Sequence, residues 1–71
     1  MKKFAQIADI FKRPGLNYVS YIKDEESAGY IMAYYDEPLK PHTQTDWFLE
    51  LEDLIRLAET ELGIDPESWK D

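Results

Sequence analysis

Cysteine is absent from this 71-residue chain. That excludes disulfide staples, thiolate zinc sites and cysteine nucleophiles, and makes a reducing cytoplasm the expected setting. Histidine is nearly absent: His42, between Pro41 and Thr43, stands alone. One imidazole with no Cys or second His is a poor start for a zinc site, and no neighbour in sequence forms a dyad with it. His42 therefore reads as an ordinary loop residue. Glycine is sparse too. Gly15, Gly29 and Gly63 are scattered punctuation, so no Gly-rich phosphate loop exists. Ser20, Ser27 and Ser68 lack a nucleophile-elbow context. No apolar run approaches the roughly 20 residues that span a bilayer. Gln6 and Asp9 interrupt the stretch after Lys2-Lys3, so the start does not read as a signal peptide. The expectation from these absences is a non-enzyme without cofactor or metal, and with no membrane partner.

Positive charge is in short supply, and unevenly placed. Eight Lys and Arg face fifteen Asp and Glu, a formal net charge of −7. Residues 1–23 hold Lys2, Lys3, Lys12, Arg13 and Lys23 against Asp9 alone, whereas residues 24–71 hold fourteen acids against Lys40, Arg56 and Lys70. A small chain this acidic repels nucleic acid and anionic membrane and attracts basic protein surfaces. Aromatics are plentiful, with five Tyr, three Phe and two Trp, which favours a packed globule over a disordered acidic tail. The length allows one domain, residues 1–71, with a small core and modest stability.

Phe4, Ile7, Ala8 and Phe11 recur at helical spacing, which predicts a short amphipathic helix ending before Pro14-Gly15. From Leu16 the period changes. Tyr18, Val19, Tyr21 and Ile22, then Ala28–Tyr35, are strand-formers separated by the polar turn Asp24-Glu25-Glu26-Ser27, a hairpin pattern. Tyr30/Met32/Tyr34 and Ile31/Ala33/Tyr35 give the second strand two apolar faces, so both sides of the hairpin ask for cover. The stretch Asp36 to His42 is a loop stiffened by Pro38 and Pro41. Thr43-Gln44-Thr45-Asp46 fits a helix capping pattern, with the helix starting within 44–50; residues 46–49 read equally well as a short third strand. Leu62-Gly63-Ile64 is a helix stop, and Asp65-Pro66 opens one more turn that delivers Trp69 to the core. The expected fold is α+β, a helix–β-hairpin–helix, with helices packed on one face of an antiparallel sheet.

On a helical wheel Trp47, Leu51, Leu54, Ile55, Ala58 and Leu62 form the core stripe. Leu49, Asp53, Leu57 and Glu61 form a second i, i+4 row, flanked by Glu50. Two leucines with an acidic rim are either a second buried seam or a contact site for a basic partner. Asp36 and Glu37 extend the acidity at the strand exit, at the opposite end of the hairpin from Asp24 and too far to share an ion with it. The five tyrosines of the hairpin lack the basic groove that single-stranded nucleic acid requires.

The expected function is therefore that of a small acidic protein-binding protein. Leu49, Glu50, Asp53, Leu57, Glu61, Asp36 and Glu37 would occupy a basic, nucleic-acid-binding surface of a larger protein, as a phage-type inhibitor of a host defence nuclease does. Two alternatives stand beside it: an immunity or antitoxin protein capping a toxin, and an adaptor domain whose acidity serves solubility.

Overall fold

A computed structural model of the protein describes residues 2–71. It is a four-stranded antiparallel meander followed by one helix. The strands are β1 (Lys2–Gln6), β2 (Tyr18–Lys23), β3 (Tyr30–Tyr35) and β4 (Gln44–Phe48), in spatial order β1-β2-β3-β4, and α1 spans Leu51–Leu62. Sheet and helix are both present, but the helix–hairpin–helix expectation is overturned. The segment read as an N-terminal helix is a strand that pairs with β2 from Lys2↔Ile22 to Gln6↔Tyr18, followed by a single 3-10 turn, Asp9–Phe11. The i, i+3, i+4 pattern was coincidental. Phe4 lies on one face of the sheet while Ala5 and Ile7 enter the core. The cross-strand partnership outweighs the weak local preference for helix.

The capping pattern at Thr43–Asp46 is also strand. β4 pairs with β3 from Tyr30↔Phe48 to Tyr34↔Gln44, and α1 starts only after Glu50, whose side chain makes no capping hydrogen bond. The third strand anticipated over 46–49 is thus present, begins earlier and stops at Phe48. The hairpin and the helix stop match the sequence reading. Asp24 N–H donates to the Gly29 carbonyl at 2.9 Å across the β2–β3 turn. Gly63 takes a left-handed φ of 65°, and its N–H and that of Ile64 turn back to the Ala58 carbonyl.

Alternation along the strands gives the sheet two unlike faces. One face carries Ala5, Val19, Tyr21, Met32 and Tyr34 and receives α1 through Leu54, Ala58 and Leu62, with Leu51 and Ile55 at the edges. Trp47, expected in that helical stripe, sits on β4 and belongs to the other face. No helix covers this second face. In register across it stand Lys2, Ile22, Ile31 and Trp47, then Phe4, Ser20, Ala33 and Thr45, then Gln6, Tyr18 and Tyr35.

The chain after α1 closes the structure. Asp65 caps its own turn, accepting the Glu67 N–H at 2.9 Å. Trp69 stacks edge-on to Tyr21 with ring centroids 4.9 Å apart. Phe4 and Lys70 exchange backbone hydrogen bonds of 2.7 and 2.9 Å, so the C-terminal segment covers part of the β1 edge. Lys3 forms an ion pair with Asp71, and that hydrogen-bonded contact raises the Lys3 pKa.

Candidate functional site

The position of α1 follows from its two ends. It leaves β4 beside the β2–β3 turn and runs back so that its last carbonyl, on Leu62, accepts the Ala8 N–H at 3.0 Å. Its twelve residues cover roughly 18 Å at 1.5 Å per residue. With Leu54, Ala58 and Leu62 buried against the sheet, the outward side of the helix is left to Glu52, Asp53, Arg56, Glu59, Thr60 and Glu61, all exposed. Arg56 is the one base among them. Its guanidinium bridges back to Glu52 at 2.9 Å and Asp53 at 3.4 Å. These i, i+4 and i, i+3 pairs neutralise acids of the first turn.

The acids nearer the other end have no such partner among the described ion pairs. Glu59 and Glu61 lie in and beside the last turn, which contains no basic residue. The partial negative charge at a helix C-terminus disfavours carboxylates there. Their presence is not explained by helix stability.

The residues named from the sequence are distributed over the molecule as follows. Asp53, Leu57 and Glu61 do line one side of α1. Leu57 is half-buried and packs against the core, and with Glu61 it borders a cleft of about 380 Å³ shared with Arg13, Leu16, Tyr34 and Gln44. Leu49 and Glu50 precede the helix, both exposed, at the far end of that row. Asp36 is committed elsewhere. Its Oδ1 accepts the Gly15 N–H at 3.1 Å and the Asn17 side-chain amide at 2.8 Å, stapling the β3–β4 loop to the turn before β2. Glu37 pairs with Lys40 at 3.7 Å. Asp36 and Glu37 therefore lie at the Glu61 end of the sheet, and Glu50 lies at the opposite end. His42 is exposed, with its ring edge-on to Tyr35 at 6.3 Å.

Two further polar arrangements deserve a physical account. Tyr34 is buried, and its hydroxyl donates to Asp46 Oδ2 at 2.8 Å. Burial, then the bond to the Asp46 carboxylate, pushes the phenol pKa well above its ordinary value near 10. Asp46 is thereby an inward-facing charge on an edge strand, a device that discourages edge-to-edge pairing. In the β2–β3 turn, Asp24 accepts the Ser27 hydroxyl at 2.7 Å and the Glu26 N–H at 3.1 Å, and these bonds hold its carboxyl below the usual range.

What the sequence reading missed is that β1 and β4 flank the hairpin and extend the sheet face that carries no helix. The helices were expected on one face of the sheet, but which hairpin face that left without a helix was not read. No protein-family model matches the chain, and no curated protein or solved structure matches it. No helix among the described residues is long and apolar enough to cross a membrane.

Proposed function

We propose that this protein is a small, non-catalytic, cytoplasmic protein-binding protein. Its acidic helix side occupies a basic, nucleic-acid-binding surface of a larger protein, in the manner of a phage-type inhibitor of a host defence nuclease. The supporting observation is the placement of Glu59 and Glu61 at the disfavoured end of α1, exposed and without a basic partner in the last turn. A charge that costs helix stability and forms no ion pair among the described residues is accounted for by a cation supplied from outside. Leu57, bordering the cleft beside Glu61, gives such a partner apolar surface next to the charge.

A carboxylate array of this kind stands in for phosphates, and its association is steered by charge and weakened by salt. Immobilised full-length protein should capture one basic nucleic-acid-binding protein from host lysate at low salt and release most of it at high salt. The Glu59→Lys/Glu61→Lys variant should fail to capture it. A captured partner that is indifferent to both salt and these substitutions counts against the reading.

A further inference from the structure

The outer edge of β1 is only partly occupied. Phe4 turns its N–H and C=O away from β2, and Lys70 takes both, at 2.7 and 2.9 Å. Strand alternation then sends those of Ala5 toward β2 and those of Gln6 outward again. Ile7 fixes the phase, since its N–H reaches the Asn17 carbonyl on the β2 side at 2.9 Å. Further along, the Ala8 N–H donates to the Leu62 carbonyl. Between these two anchors the backbone N–H and C=O of Gln6 have no partner among the described hydrogen bonds.

The segment on that edge, residues 65–71, cannot supply one. It runs antiparallel to β1 with Lys70 against Phe4, so the register sets Ser68 against Gln6. Ser68 is engaged elsewhere: its N–H and Oγ both donate to the Asp65 carbonyl, at 2.9 and 2.7 Å. The segment's one large side chain is imperfectly housed as well. Trp69 packs on Tyr21, but its indole N–H is buried with no acceptor, a donor that loses water and gains nothing. Beside Gln6 and Ser68 lies a cleft of about 580 Å³, walled by Phe4, Tyr18 and the fully exposed Leu39. Ser68 has too small a side chain to fill it.

We propose that the β1 edge is a strand-addition site for an extended segment of a partner protein, and that residues 65–71 are the chain's own stand-in, displaced when the partner binds. A free strand carries no turn at Asp65, so it bonds Phe4 and Gln6 together, roughly four main-chain hydrogen bonds in place of two. The stand-in shows which side chains suit each place. The Asp71 position takes an acid, for Lys3. The Trp69 position takes an aromatic ring against Tyr21, and Phe suits it better than Trp because it brings no N–H to bury. The Ser68 position takes an apolar side chain, which enters the cleft. The recognised pattern is therefore apolar, Phe, any residue, acid, running antiparallel to β1.

The probe is the pentapeptide acetyl-Gln-Leu-Phe-Lys-Asp-amide, titrated into the isotope-labelled full chain. The tethered segment competes at an effective concentration of roughly millimolar, so the parent should respond only near that peptide level. Binding should shift the Phe4 and Gln6 amides, slow hydrogen exchange at Gln6 and release the Trp69 indole N–H to solvent. Lys70→Pro removes the competing donor at an exposed position and should tighten the peptide about tenfold. Gln6→Pro deletes only an unbonded donor on an edge strand, so the fold should survive and the peptide should no longer bind. If Gln6→Pro unfolds, a peptide with Ser in place of Phe serves instead, and it should not bind. Silence from both the parent and Lys70→Pro at about ten times the millimolar level overturns the proposal. So does binding that survives Gln6→Pro or the serine peptide, or that leaves the parent's Trp69 indole in place. A Lys70→Pro dimer that the peptide dissolves also overturns it, because the occupant is then residues 65–71 of a second copy.

Discussion

The indole N–H of Trp47 donates to Ser27 Oγ at 3.0 Å, and that bond lays the ring from edge strand β4 onto Gly29 in the turn between β2 and β3. Ser27 passes the connection on to Asp24, so one hydroxyl joins the turn to a strand two places along the sheet. The uncovered face keeps its shape at this corner through an exposed tryptophan with a fixed orientation.

Gly29 is required there by space. A Cβ on it would collide with the Trp47 ring and crowd the Phe48 carbonyl. Gly29→Ala should therefore destabilise by about 1–3 kcal/mol, the usual cost of overpacking. Tryptophan fluorescence should shift to the red as the ring leaves its seat. Urea unfolding measures the first effect and the emission spectrum the second.

The same corner predicts a titration. The hydrogen bond from Ser27 is the largest cause of the lowered Asp24 pKa, followed by the backbone N–H of Glu26. Ser27→Ala should move the Asp24 pKa up toward the ordinary value near 3.8. Carboxyl chemical shifts followed against pH report it. The linkage runs toward acid: a depressed pKa adds stability above the unfolded value, and this is lost as pH falls through the folded one.

Tyr34 makes the opposite prediction at alkaline pH. Its folded pKa is raised, so the unfolded chain releases the phenolic proton first. Stability from this group is fully present below pH 10 and falls as pH rises beyond it. Tyr34→Phe should flatten that alkaline fall. At neutral pH it should cost about 1.5–3 kcal/mol, the range for a hydrogen bond to a charged group. Melting curves across the alkaline range for both proteins decide it.

The β2–β3 hairpin and the stop of α1 were legible, the order of elements was not, and the misreadings have a common cause. β2, β3 and the end of α1 are encoded locally, by strand-forming side chains around a polar turn and by a glycine at left-handed φ. β1 is not. Phe4, Ile7, Ala8 and Phe11 satisfy a helical wheel, and only pairing with Tyr18–Lys23 makes them strand and 3-10 turn. Trp47 misled in the same way, since its spacing from Leu51 and Leu54 is helical while its partner is Ile31. The candidate site inherits this division. The acidic side of α1 is a property of one element and could be read directly. Which face lacks a helix depends on the register of four strands, and no single segment contains that information.

Glu59 and Glu61 link stability to the proposed binding. Replacing both with Lys exchanges unfavourable charge–dipole contacts in the last turn for favourable ones, each worth about 0.3–1 kcal/mol at an exposed site. It also relieves repulsion in a chain of net charge −7. The double variant should therefore melt at a higher temperature than the parent, with the gain shrinking as salt is added. Under the proposed function it should bind its basic partner far more weakly. Higher stability with lost binding is the signature of charges retained for a contact. A variant that is less stable would instead mean that Glu59 and Glu61 serve the fold, and would remove the main support for an acidic contact surface on α1.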